Sequence, residues 1–129
     1  MDKIADMLIA IKNAGNAGKE TILLPYSQYR ANIARALFQA GYIKSYSQKK
    51  MKKGDRLEID LLYTKDASPK ITYVKRVSKP SRRLYAGVKD IYPVKQGFGK
   101  LFLSTPKGIL TGEEARKEMV GGEILFEIA

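Results

Sequence analysis

The apolar residues of this chain follow two different periodicities, and the change from one to the other constrains its fold more than any other feature. The first helical stretch has one apolar face, made of Ile4, Met7, Leu8 and Ile11. This i, i+3, i+4, i+7 spacing brings side chains onto one side of a helix. We therefore expect a helix over residues 2–14, ended by the asparagines and glycines that follow it.

A second helical pattern follows a short strand that we expect at residues 20–27. Ser27 belongs to the residue types that cap helix N-termini, and Gly41 suits the end of a helix. The sequence thus predicts a helix from Ser27 to about Ala40. Its inward-facing side chains are expected to be Ile33, Leu37 and Phe38.

Further along the chain the dominant pattern is the alternation of apolar and polar residues that is typical of strands. Residues 42–47 and 57–63 predict a hairpin, and the sequence DASP at residues 66–69 is the best candidate for a domain boundary. After this boundary the pattern is mostly that of strands, which we expect at 70–78, 82–87, 99–105 and 122–128.

One short helix is expected among these later strands, at about residues 112–119. Thr111 and Glu114 have the spacing of a capping box at its start. The order of elements predicts an α/β (α+β) chain with two domains. Residues 1–68 form an α-β-α-β-β domain, and residues 69–129 form a mostly antiparallel β domain with one short helix.

Composition excludes several classes of function. The 129 residues include no cysteine and no histidine, which removes disulfides, thiolate and imidazole metal ligands, and the commonest general base. No apolar run approaches the length of about 18 residues that a membrane span needs. We therefore expect no enzyme, no metal or other cofactor, no membrane partner and no small-molecule substrate. The expected location is the cytoplasm.

The charge distribution favours a polyanionic partner. The chain has 24 Lys and Arg against 13 Asp and Glu, a formal net charge of +11. Most of this excess lies in two blocks, residues 41–56 and residues 70–107. Such an excess on a small protein favours either nucleic acid or an acidic membrane surface as the partner.

Within the second block, residues 75–83 contain five cations around Pro80. Arginine makes paired hydrogen bonds to phosphate, and Tyr85 adds a ring on which an RNA base can stack. The alternative is a solvated hairpin tip without a ligand. The lysine-rich residues 49–55 are likewise either a segment that binds RNA nonspecifically or a solvated turn.

The sequence STPKG at residues 104–108 is the candidate for selectivity. Cations alone give affinity without selectivity, because all phosphates are alike. Ser104 and Thr105 are short hydrogen-bonding groups, Pro106 stiffens the turn, Lys107 can reach a phosphate, and Gly108 permits close approach. The alternative is an ordinary turn in which the hydroxyls bond to the neighbouring backbone.

Three segments resemble the bacterial small-subunit ribosomal protein S8 family: DKIADMLIAIKNAG at the start, RVSKPSRRLYAGVKDIYPVKQGFG, and STPKGILTGEEARKEMVGGEILFEIA at the end. The resemblance covers nearly the whole chain and is weakest at about 43–70. It implies two small α/β domains packed together. It also implies a component of the small ribosomal subunit that is a primary binder of 16S ribosomal RNA, recognises an irregular helix in the RNA's central domain, and promotes subunit assembly.

The resemblance also implies site residues and partners. The Ser-Thr-x-x-Gly loop of the family matches residues 104–108, and its Gly-Gly-Glu turn matches Gly121, Gly122 and Glu123. We expect these residues and Tyr85 to contact bases and sugars. The residues expected to contact phosphate are Lys3, Lys12, Asn13, Arg76, Lys79, Arg82 and Arg83. Neighbouring small-subunit proteins are the other expected partners, with the acidic residues of 112–119 facing them or solvent.

Three departures from the family pattern stand out. Ser81 replaces the usual glycine of the Lys/Arg-Pro-Gly turn, Phe126 replaces a frequent cysteine, and Lys3 stands where proline is frequent. An alternative function is an RNA-binding translational repressor outside the ribosome, acting on a messenger RNA that mimics the ribosomal site. A third interpretation, a binder of anionic membranes, lacks the basic amphipathic helix that it needs.

Overall fold

The computed structural model describes residues 3–94 and 99–129. The expected mixed fold with antiparallel sheets is confirmed: the described chain contains three α-helices and eight strands. Its backbone contacts divide into two compact units, Lys3–Thr72 and Tyr73–Ala129. The domain bounds 1–68 and 69–129 stay a prediction, and each unit is described by itself below.

The first unit contains helices α1 (Lys3–Asn16) and α2 (Gln28–Gln39). The four apolar residues predicted for the inner face of α1 are all buried. Ser27 caps α2 by accepting a hydrogen bond from the backbone N–H of Arg30 at 3.1 Å. Phe38 was expected to face inward but is 46% exposed, and its ring lies edge-on to Tyr46, 5.9 Å away. The small residues Ala34 and Ala36 complete the buried face of α2 instead.

Helix α1 is longer than its sequence predicts, because Gly15 does not end it. Gly15 is a buried helical residue whose lack of a side chain admits Pro69 against the helix. The chain leaves the helix only at Gly18, which has a φ of +73°. A left-handed backbone of this kind ends many helices and costs glycine little.

The sheet of the first unit has three antiparallel strands in the order β1-β3-β2. They are β1 (Thr21–Pro25), β2 (Ile43–Lys49) and β3 (Arg56–Leu61). On the central strand, Leu57, Ile59 and Leu61 are buried and alternate with less buried polar residues. Both helices contact this sheet, so the apolar face of β3 is the core of the unit.

The second unit is an antiparallel sheet in the order β4-β8-β6-β7, with β5 also paired to β8. Its strands are β4 (Val74–Arg76), β5 (Tyr85–Ala86), β6 (Lys100–Thr105), β7 (Gly108–Thr111) and β8 (Gly122–Ile128). Strands β4 and β5 are much shorter than the expected strands 70–78 and 82–87. They pair with different ends of β8, and the chain between them leaves the sheet.

The core of the second unit lies on both faces of strand β6. Leu101 and Leu103 pack in a cluster with Ala115 of helix α3 (Gly112–Lys117). On the opposite face, the rings of Phe102 and Phe126 stack with centroids 4.9 Å apart. The Thr111–Glu114 capping box predicted at the start of α3 is present, with hydrogen bonds of 3.2 and 3.0 Å. A short 3-10 helix, Val88–Asp90, lies between β5 and β6 in the chain.

Candidate nucleic-acid interface

The basic segment between β4 and β5 forms a tight hairpin tip. The backbones of Lys79 and Arg82 exchange two hydrogen bonds of 2.9 Å, which leaves Pro80 and Ser81 at the turn. All four residues are exposed. Pro80 has the fixed φ that the first central position of a β-turn requires. The turn therefore holds two cationic side chains close together at the end of a stiff support.

Ser78 fixes the base of this tip. Its side chain is 0% exposed, and its hydroxyl bonds both backbone groups of Leu84: it accepts from the N–H at 2.9 Å and donates to the carbonyl at 3.2 Å. The backbone of Ser78 also donates to Ile124 on β8. A hydroxyl can satisfy both groups because it is a donor and an acceptor at once. The basic tip is thus tied to the sheet rather than hanging free.

Four strands bring predicted site residues into one row across the sheet. Tyr85 on β5 is paired with Glu123 on β8, Glu123 is paired with Ser104 on β6, and Ser104 is paired with Ile109 on β7. Directly paired residues of antiparallel strands project from the same face. Residues that are far apart in sequence therefore share one surface, on which Tyr85 is 67% exposed.

The glycines at the start of β8 permit this arrangement. A Cβ atom on Gly121 would overlap the carbonyl oxygen of Ala86, and a Cβ atom on Gly122 would overlap the carbonyl oxygen of Ser104. No other residue allows neighbouring backbones to approach so closely. This steric requirement accounts for both glycines, whether or not RNA contacts them.

The STPKG segment is the tip of the β6–β7 hairpin, and its two hydroxyl groups differ. Thr105 Oγ1 accepts a hydrogen bond from the N–H of Lys107 at 3.1 Å and donates one to the carbonyl of Gly108 at 2.7 Å. It therefore makes the internal turn that the sequence left open as an alternative. Ser104 is half-buried, and its hydroxyl has no hydrogen-bond partner within the described residues.

Two residues at the end of this hairpin also have defined roles in the free chain. Gly108 has a φ of +109°, a value that favours glycine strongly. The amine of Lys107 forms an ion pair with Glu118 at 3.0 Å, and both side chains are about half exposed. An exposed pair of this kind is worth at most about 1 kcal/mol, so a phosphate can compete for the lysine.

The remaining predicted phosphate contacts fall into two groups. Arg76 and Arg83 lie in the same unit as the basic tip. Arg83 is exposed, and the guanidinium of Arg76 donates to the carbonyl of Leu125. Lys3, Lys12 and Asn13 all lie on α1 in the other unit. The lysine-rich residues 49–55 also belong to that unit, where Lys49 is paired with Glu58 at 3.2 Å.

Sequence reasoning overlooked a groove beside the basic tip. The hydroxyl of Tyr92 donates to one carboxylate oxygen of Glu127 at 2.9 Å, and the hydroxyl of Tyr73 donates to the other at 3.2 Å. Burial and Glu127 raise the pKa of Tyr92 to about 12. The one signal in the sequence was a carboxylate inside the apolar strand β8, between Phe126 and Ile128.

Residues 3–94 and 99–129 contain no cluster of side chains that could hold a metal ion. The helices of these same residues include none that is long and apolar enough to cross a membrane.

Comparison with known proteins decides the family. The model of the family described as Ribosomal protein S8 matches residues 2–128. This chain belongs to the ribosomal protein S8 family. It is similar over 127 residues to proteins named "Small ribosomal subunit protein uS8" from Erythrobacter litoralis, Pelodictyon phaeoclathratiforme and Chlorobaculum tepidum, with 44%, 46% and 44% identity. Each alignment covers 98% of this chain and 96% of the relative.

Two departures from the S8 family pattern have a structural explanation here. The structure records no positive φ at Ser81, so this turn does not need the glycine that the family usually has there. Phe126 is fully buried and stacks on Phe102, so the extra bulk is accommodated in the core.

Proposed function

We propose that this chain is a structural, non-catalytic component of the small ribosomal subunit that binds 16S ribosomal RNA. Membership of the S8 family and the printed name of the relatives support the assignment to the subunit. The net charge of +11 supports an RNA partner. The row that joins Tyr85, Glu123 and Ser104 carries the proposal of selective binding. The ribosome, in the cytoplasm, is the proposed location.

The proposed mechanism separates affinity from selectivity. The exposed cations of the basic tip, Lys79 and Arg82, together with Arg83, attract phosphates of any sequence. Additional phosphate contacts are proposed for Arg76, Lys107, Lys3, Lys12 and Asn13. The hydroxyl of Ser104 and the carboxylate of Glu123 are short groups on a preformed sheet, suited to base edges or ribose hydroxyls.

The finer assignment concerns the RNA site. The major groove of A-form RNA is deep and narrow, so short side chains can reach the base edges in it only where the helix is irregular. We therefore propose an irregular helix in the central domain as the target, and assembly of the subunit as the process served. The exposed acidic residues in and just after α3 are proposed to face neighbouring ribosomal proteins or solvent; they are Glu113, Glu114 and Glu118.

A salt titration tests the proposal. The Arg82→Gln/Arg83→Gln variant is compared with the wild type for binding to a 16S central-domain transcript and to a scrambled RNA. Each phosphate contact contributes about −0.9 to the slope of log affinity against log salt, so the double change flattens the slope by about one to two units.

The matched control is Lys89→Gln/Lys117→Gln, which removes two exposed cations elsewhere in the same unit. It leaves the slope nearly unchanged if the basic tip is the phosphate site. Equal slopes for both double variants would show that only net charge matters. Equal affinity of the wild type for the two RNAs would refute selective binding.

A further inference from the structure

A groove of about 400 Å³ lies beside the basic tip, and nothing in the expected RNA site accounts for most of its lining. Three of the residues that line it were expected to contact phosphate, and the others were not. The lining residues are Lys75, Arg76, Val77, Lys79, Arg82, Leu84, Tyr92 and Glu127. Four cations and one carboxylate give this groove a clear excess of positive charge.

Three of the cations are available to a ligand. Lys75, Lys79 and Arg82 are exposed and form no side-chain ion pair within the described residues. Two other lysines of this chain do form ion pairs: Lys100 pairs with Glu113 at 3.4 Å, and Lys107 pairs with Glu118. The groove thus concentrates unpaired positive charge, which favours a phosphate group there.

The groove also has an aromatic and a polar component. Tyr92 is 39% exposed, so part of its ring is open to a ligand. Glu127 is held by the hydroxyls of Tyr73 and Tyr92, one on each oxygen, and each oxygen retains capacity for a second hydrogen bond. The hydroxyl of Tyr92 is protonated at neutral pH, as any tyrosine hydroxyl is, and therefore acts as the donor to Glu127.

We propose that this groove binds a single nucleotide of RNA whose base carries an amino group. Its phosphate lies at the cations of the basic tip, its base stacks on Tyr92, and its amino group donates to Glu127. This inference rests on the proposed function, because it names a nucleotide-binding subsite of an RNA-binding surface.

The chemistry of the lining favours a nucleotide over an isolated phosphate ion. An ion alone gains nothing from Tyr92, Val77 or Leu84, and Glu127 repels it. A nucleotide separates its charge from its base, so the phosphate can lie at the cations while the base occupies the aromatic and apolar part. Aromatic stacking is the means by which RNA-binding proteins hold unpaired bases.

An NMR titration tests this with four probes: CMP, UMP, ribose 5-phosphate and inorganic phosphate. Amide shifts of Lys75, Tyr92 and Glu127 in the full chain report binding. We expect CMP to bind at least about tenfold more tightly than ribose 5-phosphate or inorganic phosphate, as stacking of one base allows. UMP, which has no amino group, is expected to bind less tightly than CMP. Equal affinities for CMP and inorganic phosphate would overturn the proposal.

Variants separate the roles of the lining residues. Tyr92→Ala is expected to weaken CMP binding by about five- to a hundredfold and to leave phosphate binding unchanged, whereas Tyr92→Phe keeps the ring and the affinity. Glu127→Gln is expected to reduce the preference for CMP over UMP. Lys117→Gln changes an exposed cation that does not line the groove, so it is the control and is expected to have little effect. If Lys117→Gln weakens CMP binding as much as Tyr92→Ala does, the groove is not a defined nucleotide subsite and the proposal is refuted.

The failure of this inference is distinguishable from failure of the proposed function. Each variant is also tested against the 16S central-domain transcript. If the wild-type chain selects this transcript but CMP does not bind in the groove, only the subsite is wrong. If the wild-type chain binds the transcript and a scrambled RNA equally, the selective function itself is wrong, whatever the groove binds.

Discussion

The β6–β7 hairpin has two adjacent hydroxyls, and we expect removal of one to reduce stability and removal of the other to reduce RNA selectivity. Thr105 Oγ1 makes two hydrogen bonds inside the turn, whereas Ser104 Oγ makes none within the described residues. Changing each residue to alanine therefore removes an internal contact in one case and an available group in the other. The pair of variants tests stability and RNA selectivity within one short segment.

For Thr105→Ala the expected cost is in stability. Two hydrogen bonds at an exposed position contribute about 0.5–1.5 kcal/mol each, so the free energy of unfolding falls by about 1–3 kcal/mol. A change of about 1 kcal/mol lowers the Tm of a chain of this size by roughly 4 °C, so we expect a decrease of about 4–12 °C. Selectivity between cognate and scrambled RNA should change little if the hairpin retains its shape.

For Ser104→Ala the expected cost is in selectivity. A hydroxyl that bonds a buried RNA group leaves that group unsatisfied when it is removed, at about 1–3 kcal/mol. The ratio of cognate to scrambled affinity then falls by about five- to a hundredfold, while the Tm changes by less than about 2 °C.

The assays are filter binding with the two RNAs and a thermal melt monitored by circular dichroism. A large decrease in Tm for Ser104→Ala with unchanged selectivity would refute the division of roles. So would a Thr105→Ala variant that melts normally and loses selectivity, because its hydroxyl would then serve RNA rather than the turn.

Three further predictions concern the supports of the site. Ser78→Ala leaves the backbone N–H of Leu84 without a partner, whereas the Leu84 carbonyl keeps its hydrogen bond from the N–H of Ile124. It should therefore lower the free energy of unfolding by about 1–3 kcal/mol in a urea titration, in contrast to an exposed control such as Ser81→Ala. Gly122→Ala forces a Cβ atom against the carbonyl of Ser104, and we expect a loss of several kcal/mol in the same assay; near-normal stability would contradict the close approach. The pKa of Tyr92 is about 12 in the folded chain against 10.0 in the unfolded chain, so the protonated phenol favours the folded state. Its contribution to the free energy of unfolding is therefore complete below pH 10 and is lost between pH 10 and about 12. Ultraviolet titration should show one phenol ionising near pH 12 that Tyr92→Phe removes.

Local sequence determined the helices and their caps, because these depend on neighbours a few residues apart. The apolar spacing of α1, the Ser27 cap of α2 and the Thr111–Glu114 capping box all follow from short-range side-chain geometry. Local sequence predicted the end of α1 too early, because the packing of Gly15 on Pro69 involves residues more than fifty positions apart. It also misplaced Phe38, because helical spacing alone does not fix the width of a buried face.

The chemistry of the candidate site was evident in the sequence, but its grouping was decided by strand pairing. The basic segment and the STPKG segment contain residue types suited to phosphate and to polar RNA groups, whatever the fold. That Tyr85, Glu123 and Ser104 share a row depends on the register of three strands, and the groove at Tyr92 depends on Glu127 lying on β8. Register is fixed by burial and close backbone approach over the whole sheet, which no single segment encodes.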